Sequence, residues 1–430
     1  MNSLSAFSKI PSRWALLVSM ASVAACGLPT SESADRANNR EYSVHYTLSP
    51  DPATSTVQVE LRLRQPEGLL REISFPVSDH VSDVGGDGDL RVRNGRIQWQ
   101  PPTNGGTLGW RVLVRHERGN DGFDALLNTE WGIFRAEDVI PRARTRTLKG
   151  AASRTTLAFD LPAGWSVISE YSALEQPIVV NRAERRFDEP TGWIAMGQLG
   201  IRRETIAGTR VAIAAPQSHN VRRMDMLALL NWTLPELHEV LPDALPRLTI
   251  ISAGEPMWRG GLSAPASLFL HADRPLISEN ATSSLLHEVM HTALGMRPRE
   301  NNDWIVEGLA EYYSIELLRR GHAISPSRAK KAFARQAEWG AQSTALCGGE
   351  STAATTARAV TVFSKLNREL LKKSDGEVDL DSLLPSLVNS VIDLGSLIDV
   401  VEGTIGVTPD TLHSENLPGC SSMAAANQEL

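Results

Sequence analysis

The sequence predicts an α+β protein with several domains, and three observations support this prediction. From Tyr42 to about Gly200, apolar residues recur at every second position between clusters of turn residues, which is typical of an all-β, sandwich-like domain. After Thr205 short apolar runs alternate with helical periodicity, and beyond Pro326 the pattern is helical. With 430 residues, 42% of them hydrophobic, the chain is long enough for two or three packed domains.

The β-rich domain is predicted over residues 41–204. Its strands are identified by period-two alternation, and Gly, Pro, Asn and Asp clusters between them mark the turns. The clearest alternating positions are Tyr42, Val44, Tyr46 and Leu48; Val57, Val59, Leu61 and Leu63; and Trp110, Val112 and Val114.

An α+β domain is predicted over residues 205–325, and a helical C-terminal domain over 326–430. Asp303 is the predicted N-cap of the helix that it opens. The predicted elements are strands at 211–213 and 248–251, helices at 221–240, 278–296 and 303–320, and later helices beginning near Ser327, Thr355 and Leu380.

The first 25 residues are predicted to be an export signal. Lys9 and Arg13 precede an apolar run that contains no acidic residue and is too short to span a bilayer. The run ends Val-Ala-Ala-Cys26-Gly27, which resembles a bacterial lipobox, where cleavage before the cysteine leaves a thiol that carries lipid. The alternative is ordinary secretory cleavage, with Cys26 incidental. Gly27 resembles the outer-membrane sorting signal of Gram-negative lipoproteins, so we expect a lipid-anchored protein on the periplasmic face of the outer membrane.

Residues 26–40 are predicted to be a tether, because their Ser, Asn, Pro and charged residues cannot form a core. Removing the signal with its two cationic residues changes the net charge from −7 to −9, which argues against a nucleic-acid partner. If Cys26 carries lipid, Cys347 and Cys420 remain in an oxidising compartment. They form either a disulfide across a long C-terminal loop or two free buried thiols.

A metal site is predicted on the helix that contains Leu-Leu-His287-Glu288-Val-Met-His291-Thr. The two histidines are one turn apart on one face, so their imidazoles can converge on one ion. Glu288 is placed to hold a metal-bound water as general base. The apolar neighbours are expected to bury the helix and keep the site partly dry. The alternative to a metal site is that the five-residue pattern occurs here by chance.

Three protein ligands are needed for a catalytic zinc, and the third is expected from the next helix. Glu307 and Glu311 are one turn apart there, so one can bind the ion while the other accepts a hydrogen bond from a ligand imidazole. A solvated helix face is the alternative for this pair, but the surrounding Trp, Ile, Leu and Tyr residues favour a buried one.

These two helices resemble those of the gluzincin zinc metallopeptidases, and most closely the glycyl-aminopeptidase branch and the peptidase-MA-like domains. The resemblance lies in His-Glu-x-x-His followed by Trp304-x-x-Glu307-Gly308-Leu-Ala-Glu-Tyr-Tyr. It implies a thermolysin-like catalytic domain, one Zn²⁺ held by His287, His291 and Glu307, and Glu288 as the base. It extends to the β-rich domain at 161–165 and 193–197.

Two positions depart from the aminopeptidase pattern. In that family a glutamate on a Gly-rich strand grips the amine of the substrate, and the counterpart here is Gly260-Gly261-Leu262-Ser263, with serine at the place of the glutamate. The family also uses a downstream tyrosine to stabilise the oxyanion, but no tyrosine follows Tyr313. The candidate substitutes are His322, His413 or an arginine such as Arg358. We expect the strand 264–271 to bind an extended substrate by its edge.

The resulting hypothesis is a metallopeptidase that hydrolyses bonds within peptides or envelope proteins by a zinc-activated water. Its alternative is a weakly active or inactive zinc-binding lipoprotein with a peptide-binding or structural role, which the missing amine anchor and tyrosine favour. A third possibility is a lipoprotein whose histidines are core residues. Glu288 argues for the enzyme, since a structural zinc site needs no such carboxylate.

Overall fold

A computed structural model describes residues 40–119, 122–171, 176–180, 186–242 and 244–420. The predicted export signal, Cys26 and all of the predicted tether except its last residue lie outside the described residues. The described elements belong to one compact unit that begins at Glu41. Within this part of the chain, no helix has the length and apolar character that crossing a membrane requires.

The β-rich part contains three sheets among its described residues. Their strand orders are β14-β12-β1-β2-β7-β4, β11-β3-β6-β5 and β13-β15-β10-β9-β8. The elements are β1 Glu41–Asp51, β2 Thr56–Arg64, β3 Leu70–Pro76, β4 Val81–Gly86, β5 Asp89–Arg93, β6 Arg96–Gln100, β7 Gly105–Leu113, β8 Arg115–Glu117, β9 Phe123–Leu127, β10 Trp131–Arg135, α1 Ala136–Val139, β11 Arg144–Thr147, β12 Ala152–Phe159, β13 Ser166–Ser169, β14 Ile178–Val179 and β15 Trp193–Gly197.

Period-two alternation explains how these sheets pack. Tyr46 of β1 lies opposite Leu61 of β2, and both side chains point into the core with their alternate neighbours. Trp99 and Trp110 fill the same core and are almost fully buried. The predicted all-β domain is therefore confirmed, as is the α+β multidomain fold class.

A fourth sheet and its helices follow, with the strand order β16-β17-β18-β20-β19. β16 crosses the predicted domain boundary at residue 204. Because it is one strand of this sheet, the sheet begins at Leu199 rather than at residue 205. The elements are β16 Leu199–Ile206, β17 Thr209–Pro216, α2 Arg223–Val240, β18 Arg247–Ala253, β19 Gly261–Ala264, β20 Ser267–His271, α3 Ser284–Leu294, β21 Arg297–Pro298, α4 Asp303–Arg320, α5 Pro326–Gly340, α6 Ala353–Lys373, α7 Leu384–Leu387, β22 Val391–Ile392 and α8 Leu394–Ile405.

The prediction of one edge strand over 264–271 is wrong. The chain reverses at Pro265–Ala266, so Ala264 pairs with Ser267 in a tight antiparallel hairpin. β20 consequently lies inside the sheet between β18 and β19, and the exposed edge belongs to β19. A proline and a residue with a φ of 47° at the turn explain why one apolar run became two strands.

Two further predictions in the helical part need correction. Asp303 is the first residue of α4 and Asn302 is its N-cap, while the Asp303 carboxylate accepts a hydrogen bond from the N–H of Ser351 at 2.8 Å. No long helix begins at Leu380, because a 3-10 turn is followed by the four-residue α7, which ends at Leu387. Two residues later Asn389 has a φ of 57°. α8 then supplies the expected helix further along the chain.

α4 lies at the centre of the helical core. It packs between α3 and α6, and all but five of its residues are buried. Trp304 at its start is fully buried and stacks on Phe363 of α6 at 5.9 Å between ring centroids. This packing fixes α4 beside α3, which carries the two histidines.

Candidate metal centre

α3 presents its histidines on one face because its ends and apolar residues fix its orientation. The hydroxyl of Ser283 accepts from the N–H of Leu286 at 3.2 Å as N-cap, and Gly295 ends the helix in the left-handed conformation with a φ of 56°. The apolar residues that flank the histidines are fully buried. They are Leu285, Leu286, Val289 and Met290.

α4 places Glu307 next to the histidine face of α3. Gly308, the next residue, allows the opposite face of α4 to pack closely against α6. A Cβ at Gly308 would lie 2.5 Å from the Cβ of Ala359 and 2.9 Å from the ring of Phe363. α4 can therefore lie close to α6 only with glycine at this position. The Glu-Gly pair of the sequence motif thus combines a polar group for the site with a contact between helices.

The ligand atoms of His287, His291 and Glu307 converge on one point. The two Nε2 atoms are 3.0 Å apart, and each lies 3.3 Å from a carboxylate oxygen of Glu307. Within the described part of the chain, no other set of three His, Cys, Asp or Glu side chains has ligand atoms within 4.8 Å of one another.

This donor set fits zinc. Zinc–ligand bonds of about 2.0–2.1 Å place tetrahedral ligand atoms about 3.3 Å apart, which matches the separations here. Two imidazoles and one carboxylate are also the donors of a catalytic zinc site with a fourth position open to water. The two helices thus hold two imidazole nitrogens and one carboxylate at separations that suit a single zinc ion.

Glu311 supports His287 from behind. The Nδ1–H of His287 donates to Oε2 of Glu311 at 3.2 Å, which leaves Nε2 free for an ion. The hydroxyl of Ser314 donates to the backbone carbonyl of Glu311 at 2.9 Å and also lies 3.2 Å from Oε2, and the amide of Gln336 on α5 donates to Oε1 at 3.2 Å. Ser314 and Gln336 are not predicted by the sequence, because neither belongs to a spaced motif.

Burial and hydrogen bonding set the proton affinities of the site. Burial lowers the pKa of His287, but hydrogen bonds to Glu307 and Glu311 outweigh it and raise this pKa to about 10. Burial raises the pKa of Glu307, yet the hydrogen bonds from His287 and His291 hold it well below its usual range. The pocket thus stabilises positive charge between the imidazoles and the carboxylate.

Glu288 lies beside the three ligand residues and packs against β19. Its side chain is 8% exposed, and burial raises its pKa while the two histidines oppose the rise. The backbone N–H of Ser263 donates to its carboxylate. A Cβ at Gly261 would lie 2.7 Å from Cγ of Glu288, so the glycine leaves the space that this carboxylate occupies.

The predicted substrate-binding segment forms the edge of the sheet. The carbonyl of Gly260 accepts from the N–H of His271 at 2.9 Å, and orientation alternates along the strand, so the backbone groups of Gly261 and Ser263 point away from β20. The backbone of Leu262 also has a contact outside this sheet, because its carbonyl accepts a hydrogen bond from the indole N–H of Trp193 on β15 at 2.9 Å.

The remaining predicted residues are not part of this centre. Cys347 and Cys420 form a disulfide that lines a cavity of about 980 Å³ together with His413. The guanidinium of Arg358, one of the candidate substitutes for the oxyanion tyrosine, donates to the carbonyl of Ser343. Cys26 lies outside the described residues.

Comparison with solved structures identifies the fold. An aminopeptidase N family protein from Idiomarina loihiensis matches with a TM-score of 0.66 at 14% identity, over 87% of this chain and 76% of its own. Yeast leukotriene A4 hydrolase in complex with bestatin matches at 0.53 and 14%, over 89% and 69%. Aminopeptidase A from Legionella pneumophila in complex with aspartic acid matches at 0.52 and 11%, over 85% and 48%.

No protein-family model matches the sequence, and no curated protein sequence matches it. The comparison therefore rests on the three-dimensional structure, and it shows that this chain shares its overall fold with the aminopeptidase N family protein. The same likeness accounts for the order of a β-rich N-terminal part, a metal-site domain and a helical C-terminal region.

Proposed function

We propose that this protein is a zinc-dependent metallopeptidase. The supporting observation is the cluster of His287, His291 and Glu307, in which the two Nε2 atoms are 3.0 Å apart and each lies 3.3 Å from a different oxygen of the carboxylate. The buried Glu288 lies beside this cluster. Its fold neighbours are described as aminopeptidases and a hydrolase, which agrees with hydrolytic chemistry at this position.

The residues have distinct roles in the proposed reaction. Zinc, when bound, polarises the scissile carbonyl and makes a water molecule more acidic. His287, His291 and Glu307 hold the ion, and Glu311 keeps the Nδ1 proton of His287 directed away from it. Glu288 accepts the proton of the attacking water and passes it to the leaving nitrogen, and its raised pKa suits both transfers.

The edge of β19 is the proposed binding surface for an extended peptide. Ser263 directs its N–H to Glu288, and the remaining outward backbone groups of Gly261 and Ser263 are free to pair with a substrate strand beside the reacting centre. A serine hydroxyl cannot pair with an ammonium group as a carboxylate does. Cleavage within a chain, rather than removal of the first residue, therefore fits this site better.

The sequence of residues 1–40 supports a location for this activity. We propose that Cys26 anchors the protein by lipid to the periplasmic face of the outer membrane, where exposed segments of envelope proteins are available as substrates. Mass spectrometry of the N-terminal peptide from membrane fractions tests the anchor. An unmodified Cys26 in a soluble fraction would contradict it.

A Glu288→Gln variant tests the catalytic role directly. It should keep about one zinc per chain and lose chelator-sensitive cleavage of a peptide library, because an amide cannot accept the proton. The matched control is Glu239→Gln, since His238-Glu239 on α2 repeats the start of the motif without a second histidine. A fully active Glu288→Gln protein would refute the role, and a zinc-loaded but silent unmodified protein would favour the non-catalytic zinc-binding alternative.

A further inference from the structure

α5 contributes one buried polar side chain to the surroundings of the metal centre. Gln336 is 6% exposed and lies on the helix face whose other buried members are Ala329, Ala332 and Gly340. A buried amide without a hydrogen-bond partner is costly, so its contacts reveal why it is tolerated there. Its Nε2 donates to Oε1 of Glu311 at 3.2 Å.

The two oxygens of Glu311 receive different donors. Oε2 accepts from Nδ1 of His287 at 3.2 Å, whereas Gln336 donates to Oε1. The hydroxyl of Ser314 also lies 3.2 Å from Oε2, but its shorter hydrogen bond, at 2.9 Å, is to the backbone carbonyl of Glu311. The terminal torsion of a glutamate has a broad energy minimum, so one contact alone does not fix the plane of the carboxylate. Donors on both oxygens fix the plane and direct Oε2 at the imidazole.

We propose that Gln336 is a positioning residue that orients the ligand His287 through Glu311. The inference rests on the proposed zinc site and adds a residue from a third helix to it. With the Glu311 carboxylate held in one plane, the imidazole of His287 keeps its proton on Nδ1. Its Nε2 then points toward Nε2 of His291 and the carboxylate of Glu307. Without the Gln336 amide, the carboxylate is free to rotate and the imidazole loses a fixed partner.

Zinc affinity of the full chain is the direct test. Gln336→Met keeps an unbranched side chain of similar volume and removes the donor, and competition with a chromophoric chelator measures the Kd for zinc. We expect Kd to rise about tenfold, at the low end of the effect of removing partners of ligand residues. Gln342→Met makes the same chemical change at an exposed position just beyond α5 and should leave Kd unchanged.

A double-mutant cycle separates positioning from general stabilisation. If Gln336 acts through Glu311, then Gln336→Met should add less than a twofold rise in Kd when Glu311 is already replaced by Gln. A lower melting temperature of the zinc-free protein with an unchanged Kd would show a purely structural role and overturn the proposal, as would fully additive effects.

These outcomes are independent of peptide cleavage. If the unmodified chain binds no zinc, both the metal centre and the role of Gln336 are wrong. If the unmodified chain binds zinc and Gln336→Met binds it equally well, only the positioning role is wrong. Absence of peptidase activity together with the expected change in Kd would refute the proposed function alone.

Discussion

Replacing Gly261 by alanine should disable the proposed general base without touching a ligand. The added Cβ would lie 2.7 Å from Cγ, 2.8 Å from Oε1 and 3.0 Å from Cδ of Glu288. Unstrained carbon atoms approach to about 3.5–4.0 Å, so the overlap with Cγ is close to 1 Å. The Glu288 side chain must move by about that distance, because β19 is held by its ladder to β20.

A displacement of this size gives the expected magnitude. A misplacement of about 1 Å at a reacting group costs about 100-fold in rate, so kcat of Gly261→Ala should fall by about that factor. The three atoms nearest to the new methyl group all belong to Glu288, and none belongs to His287, His291 or Glu307. Zinc content should therefore stay at about one ion per chain.

The assay compares kcat on a fluorogenic peptide chosen from the library with zinc content measured on the same preparation. Gly85→Ala is the matched control, since it is also a strand glycine and its added Cβ would meet no atom within 4 Å. Full kcat in zinc-loaded Gly261→Ala would show that Glu288 does not need this space. Loss of zinc would show instead that the substitution disturbs the whole centre.

Three further predictions concern the ion, the disulfide and the helix packing. Because the pKa of His287 is held at about 10, zinc binding at pH 7 should release about one proton, and affinity should rise with pH; calorimetry in buffers of different ionisation enthalpy measures this, and no proton release would contradict it. The disulfide joins residues 73 positions apart, so replacing both Cys347 and Cys420 by alanine should lower the free energy of unfolding by about 4 kcal/mol in denaturant titrations, and an unchanged value would contradict this. Gly308→Ala should cost about 1–3 kcal/mol by overpacking α4 against α6, whereas Gly403→Ala on α8, with open space around it, should cost nothing; equal stability of the two variants would refute the packing argument.

Much of the candidate site follows from spacing along single helices. His291 lies four positions after His287, and Glu311 lies four positions after Glu307, so each pair shares a face wherever its helix lies. The burial of these faces was also indicated by the apolar residues between them. The hairpin of β19 and β20 is harder to predict from the sequence. The apolar run continues across Pro265 and Ala266 and therefore resembles a single strand, although the chain reverses there.

The α+β class, the two helices and the identity of the donor groups can be predicted from the amino-acid sequence, because helical periodicity and residue chemistry are local properties. Spacing alone left open which of Glu307 and Glu311 faces both imidazoles, and it indicated neither that β19 forms the edge of the sheet nor that Gln336 reaches Glu311; the folded structure answers all three. These are distances between segments separated by many residues. They depend on how helices and strands pack, which no local pattern specifies.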